Sequence, residues 1–153
     1  MQADIDFHQL VDAVGDGVIV CDASGAITFW NPAATRIFGF SASDALGQSL
    51  DLIIPERQRQ RHWDGYHSTM FTGQTRYGAD VLRVPALHKE GKSLSIAFTV
   101  AMLYAADGTV SAIVAIVRDE TARWVEERAL KARLVQLETQ LEALCQVRGQ
   151  AQC

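Results

Sequence analysis

One stretch of the sequence gathers side chains able to bind a ligand: Pro55 to Phe71, PERQRQRHWDGYHSTMF. Read as a helix, it sets His62, Tyr66 and Thr69 on one strip and Trp63, His67 and Met70 on the next, because residues three or four apart share a helix face. Two imidazoles, two aromatic rings and a thioether on adjacent strips can line a pocket. A neutral imidazole also carries a lone pair that a metal can accept. The same residues have a plainer use, in which Trp63, Tyr66 and Met70 pack on a sheet while the histidines face water. No other segment offers catalytic chemistry. There is no Gly-x-Ser-x-Gly, no phosphate-binding P-loop and no His-Glu-x-x-His, and the acidic residues are scattered over turns and helix faces. The expectation is a protein that is not an enzyme.

The three cysteines, Cys21, Cys145 and Cys153, are odd in number and fit no metal-ligand spacing. Cys21 lies in the apolar run from Gly17 to Cys21 and reads as a small buried hydrophobe. Cys145 and Cys153 fall in the tail and read as exposed. With 153 residues and a net charge of −4, the chain suits one domain and offers no nucleic-acid surface. No apolar run approaches the roughly 20 residues that span a bilayer, and the start MQADIDFHQL is acidic where a secretory signal would be basic. These features predict a cytoplasmic protein without a membrane partner.

The elements that must hold the central helix follow from apolar period and punctuation. Asp4 to Val14 carries a helical stripe. Val18 to Cys21 and Ala26 to Trp30 read as strands joined by the turn Asp22-Ala23-Ser24-Gly25. Asn31-Pro32 caps and opens a short helix that stops at Gly39, and Ser41 caps another that ends at Gly47. After the central helix stops at Thr72-Gly73, three strands follow: Val81 to His88, with Pro85 marking an edge or bulge; Leu94 to Tyr104; and Val110 to Val117. Ile96, Phe98, Val100 and Met102 share one face, with Ile113, Ala115 and Val117 beside them as an apolar wall. The order predicts an α+β fold, a five-stranded antiparallel sheet with short helices on one face and a long C-terminal helix.

Several segments in this order resemble the PAS (S-box) family of sensory domains over roughly residues 5–121. They are DGVIVCDASGAITFWNPAATRIFGFSASDALGQSL, LIIPERQRQRH, TGQTRYG, HKEGKSLSIAFTV and AIVRDETAR. The resemblance implies a sensor that holds a small ligand or cofactor between sheet and helices, or a module that only dimerises, and that passes its change to the helix that follows. Candidate ligand-binding residues are His62, Tyr66, Leu82, Phe98, Val100, Met102, Ile113 and Ala115. The central helix is also similar to that of oxygen-sensing haem PAS domains from rhizobial histidine kinases. Counted back from Thr72-Gly73, His62 falls on their proximal haem histidine. This resemblance implies haem b with His62 as axial ligand, His67 in reserve, and Leu82, Phe98 and Val100 on the distal side. The sequence departs from that pattern twice. The distal arginine falls on Leu82, with Arg83 one place along and so on the opposite strand face. The distal methionine of a related phosphodiesterase sensor falls on Asp80. The reactive cysteine of flavin-based light sensors has no counterpart in DLIIPERQ.

From Glu120 to Val147 the chain lacks Gly and Pro and favours helix. Leu130, Leu134, Leu137, Leu141 and Leu144 alternate spacings of four and three, a heptad seam that predicts a parallel homodimer joined by a coiled coil. The expected organisation is a cap helix over 1–14, the PAS domain over 15–119, and a signalling helix and tail over 120–153. Asp119 and Thr121, at the junction, are the expected signal relay. The remaining length holds no output domain, so the expected output comes from another chain, such as a histidine kinase, or from the rest of a longer protein of which this chain is a part.

Overall fold

The computed structural model describes residues 4–150, with Gln150 by its backbone alone. Cys153 and the outermost residues of the first and last segments lie outside this range. The first helix, α1 (Phe7–Ala13), is capped by the Asp6 carboxylate, which accepts from the amides of His8 and Gln9. Strands β1 (Gly17–Asp22) and β2 (Ile27–Trp30) form the expected hairpin. Asp22 Oδ1 fixes its turn by accepting from the Ser24 and Ala26 amides and the Ser24 hydroxyl. Helix α2 (Pro32–Phe38) ends at Gly39 with φ of 80°, a conformation that needs glycine. Helix α3 (Ala42–Ala45) starts at a Ser41–Asp44 capping box. A single 3-10 turn, Leu50–Leu52, precedes the central helix α4 (Glu56–Thr72).

Three strands complete the sheet: β3 (Leu82–Leu87), β4 (Ser93–Tyr104) and β5 (Val110–Asp119). All pairings are antiparallel and the strand order is β2-β1-β5-β4-β3. Pro85 sits in β3, at the sheet edge, where its missing N–H breaks no ladder. Several boundaries differ from the sequence reading by one to three residues; α1 begins only at Phe7 rather than Asp4. Strand β5 runs past Val117 to Asp119, because the longer β4 offers Ala97 and Ile96 as partners for Arg118 and Asp119.

The inner sheet face and the helices share one core, built on Ile19, Trp30, Phe38, Tyr66, Ile96 and Ile113, among others. Fully burying a side chain such as Phe38 or Ile19 contributes about 1.5–3 kcal/mol. Cys21 belongs to this core, and burial pushes its thiol up to about 12, so it behaves as an inert hydrophobe. Contacts divide the chain after Glu120 into two compact units. The second is the helix α5 (Thr121–Gln150), in which Cys145 is exposed.

Candidate functional site

Helix α4 begins after Pro55, with Glu56 in the first turn where a negative charge suits the helix dipole. It ends at Gly73, φ 68°, whose amide donates to the Thr69 carbonyl at 2.9 Å. Between these stops Arg59, His62, Trp63, Tyr66, Thr69 and Met70 turn away from water at the three-four spacing of one helix face. His67 lies on the exposed side. The two histidines are thereby separated: His62 enters the interior, while His67 stacks on the outer side of Trp63 with ring centroids 6.0 Å apart.

Two bonds lock this face against the β1–β2 turn and the loop before α4. Tyr66, only 7 % exposed, donates its hydroxyl to the Asp22 carbonyl oxygen, and burial raises its pKa. Trp63 Nε1 donates to Asp51 Oδ1 at 2.8 Å. Gly25 at the tip of the turn lies over the Trp63 ring: a Cβ there would come within 2.3 Å of Cζ3.

His62 stands between these two anchors. Its ring centroid is 4.7 Å from that of Trp63, edge to face, and 6.0 Å from that of Tyr66. Its Nδ1 is buried and has no hydrogen-bond partner. Burial lowers its pKa below the ordinary value, against an opposing pull from the Asp51 charge. The side chain is therefore a neutral imidazole at pH 7, with an unused polar atom inside the protein.

The sheet supplies the facing wall. Register sets Leu82 opposite Phe98, Val100 opposite Ala115 and Met102 opposite Ile113. Tyr66 and Ile113 share the buried core, and Phe98, Val100, Met102 and Ala115 pack against it while only half-buried. Leu82 reaches this group through its partner Phe98. Arg83 points to the other face and pairs with Glu120 at 3.1 Å, as alternation along the strand requires. Asp80 is exposed. Among the described residues no three His, Cys, Asp or Glu side chains cluster to hold a bare metal ion.

At the junction, Asp119 is the last residue of β5, opposite Ile96, and Thr121 is the first of α5. Sequence reasoning missed the pairs around them. Arg118 makes a two-pronged bond to Asp16, at 2.9 and 2.8 Å, across 102 residues of sequence. The Glu120 amide donates to the Ser95 carbonyl at 2.8 Å. No local signal announces contacts between residues so far apart. Asn31 was legible as a helix cap, but its full role was not. Its Oδ1 accepts from the amides of Ala34 and Val18, and its Nδ2 donates to the carbonyls of Val11 and Asp16.

Comparison with known proteins agrees with the fold. The family model described as the PAS fold matches residues 5–119. Sensor protein FixL of Bradyrhizobium diazoefficiens is 29 % identical over 135 residues, 88 % of this chain and 25 % of its own length. Oxygen sensor protein DosP of Escherichia coli is 21 % identical over 119 residues, 78 % of this chain and 15 % of its own. The chain thus spans a quarter or less of these relatives. A PAS-domain crystal structure from Colwellia psychrerythraea superposes with a TM-score of 0.67 at 22 % identity, covering 76 % of this chain and 95 % of that one. That likeness speaks for the fold alone.

Proposed function

Because this chain belongs to the PAS family across residues 5–119, we propose that it is a sensory module in which a small ligand or cofactor binds beside His62 and α5 carries the change to an output partner. One observation carries the reading: the buried, unpartnered Nδ1 of His62. Buried polar atoms nearly always have a partner, and leaving one without costs about 1–3 kcal/mol. A ligand atom at that position recovers the loss. The half-buried apolar wall of Phe98, Val100 and Met102 suits the apolar body of such a ligand. The names of FixL and DosP as sensors support the functional class. The role is regulatory rather than catalytic, and the output belongs to a further domain or a separate protein such as a histidine kinase. No helix among the described residues is long and apolar enough to cross a membrane, which fits a cytoplasmic place of action.

Native mass spectrometry of freshly purified chain tests this. A bound mass of one per protomer in the wild type, lost in His62→Ala, is the expected result. A bare protomer in both favours a passive dimerisation module instead.

The same imidazole favours haem b as a second reading. One neutral histidine with no neighbouring protein ligands suits a metal held by a macrocycle better than a bare ion. His62 would hold the iron through its imidazole, and Leu82, Phe98 and Val100 would give the pocket an apolar wall. Bound haem would supply an iron able to take a diatomic gas or change oxidation state. The chain's own part is to hold His62 neutral and aimed inward, through Trp63 on Asp51 and Tyr66 on Asp22. Leu82 in place of a distal arginine removes a hydrogen-bond donor from that side. Hemin added to the purified protein should give a sharp Soret band that His62→Ala abolishes and His67→Ala leaves intact. No band, or one indifferent to His62, overturns the haem reading.

A further inference from the structure

Five leucines form an apolar stripe along α5: Leu130, Leu134, Leu137, Leu141 and Leu144 are 45–69 % exposed. Their spacing assigns Leu134 and Leu141 to heptad position a, and Leu130, Leu137 and Leu144 to d. The positions flanking the stripe then carry charges in a pattern with a physical consequence. Position g holds Glu126 and Arg133, and position e holds Lys131 and Glu138. In a parallel, unstaggered pair of helices, each g residue faces the e residue five places on in the other helix, and these pairs set partner and orientation. Here that juxtaposes Glu126 with Lys131 and Arg133 with Glu138. Both matches are attractive, and each occurs twice by symmetry.

The next seam positions toward the sheet are also informative. Position a is Glu127 and position d is Arg123, and within one helix they pair at 2.9 Å. A d side chain in a parallel coiled coil packs beside the a residue four places on in the facing helix. Arg123 can therefore exchange Glu127 of its own helix for Glu127 of the other. The first seam layer after the sheet is thus polar and has two arrangements of the same charge pairs.

From this we propose that the partner of α5 is a second copy of this chain, aligned parallel and without stagger, its register specified by Glu126–Lys131 and Arg133–Glu138. The Arg123–Glu127 layer is the point where the two helices part or join. The inference rests on the signalling role proposed for α5 and adds the residues that choose the geometry of its pairing. A polar layer at core positions weakens the seam locally and fixes its register. Two alternative pairings of the same charges at the sheet-proximal end also form the kind of two-state element that an input can bias.

The test uses the full chain with Cys145→Ser and Cys153→Ser as background. In that background Leu130→Cys should form a disulfide-linked dimer in air, because equivalent d positions approach within disulfide reach only in a parallel, unstaggered pair. Absence of that dimer overturns the register. Sedimentation equilibrium at low salt gives the second arm. Glu126→Lys with Arg133→Glu should weaken the dimer by about tenfold or more, since every flanking pair becomes repulsive. Adding Lys131→Glu and Glu138→Arg to the same chain should restore it. Leu134→Glu with Leu137→Glu separates the two levels of the claim. If that double variant dissociates while the charge variants match wild type, the seam stands and the register falls. If it dimerises as tightly as wild type, the coiled coil itself is wrong.

Discussion

At the scale of single residues, His62 is the group on which the account turns. Burial lowers its pKa below the ordinary 6.5. The unfolded chain therefore takes up a proton near that pH which the folded chain refuses. The stabilisation of the neutral form is complete above about pH 6.5 and is lost as the pH falls toward the folded-state value. Urea midpoints measured from about pH 5 to pH 7.5 should fall on the acid side in the wild type and fall less steeply in His62→Phe. Equal slopes would mean that the imidazole titrates as if exposed. Asn31 is the structural counterpart, a buried amide with four partners tying α1, β1 and α2 together. Asn31→Leu strands two amides and two carbonyls, and equilibrium unfolding should show a loss of about 2–3 kcal/mol. The sequence marked both residues by type and position, His62 by its helical strip and Asn31 by the Asn-Pro cap. It could not show that Nδ1 of His62 lacks a partner, or that Asn31 reaches back to Val11. Those facts depend on packing between elements distant in sequence.

At the scale of elements, the β1–β2 turn and α4 act as one unit. Gly25 has φ of 84° and no room for a Cβ beneath it, since the Trp63 ring fills that space. Gly25→Ala should cost about 2–3 kcal/mol, from strained backbone and from displacing the indole. Trp63→Phe in the same chain should recover part of that cost, so the double variant should lose less than the sum of the singles. Strict additivity would mean that turn and helix are not coupled there. Element identity and order were legible because turn glycines, capping residues and apolar periods punctuate this chain clearly. The end of β5 was not, because Arg118 and Asp119 are polar and their place in the ladder is set by β4. The same reason hid the Arg118–Asp16 and Arg83–Glu120 pairs that brace the strand just before α5.

At the scale of the whole molecule, the sheet that faces His62 runs directly into a helix with a stripe of exposed leucines. The link is β5, whose inner residues Ile113, Ala115 and Val117 face the core and whose last residue, Asp119, leads through Glu120 into Thr121. A ligand can shift this strand only by binding one arrangement better than another. Leu134→Glu with Leu137→Glu should uncouple the helices while leaving the PAS unit folded, seen as monomers by light scattering across a dilution series with unchanged circular dichroism of the sheet. The central claim is that occupancy at His62 reaches the start of α5, and hydrogen exchange of residues 118–127 tests it most directly. Measured with and without hemin, under conditions where the Soret band shows hemin bound to the wild type, amide protection across that segment should change in the wild type and stay constant in His62→Ala. Identical protection with and without hemin in the wild type would contradict the account.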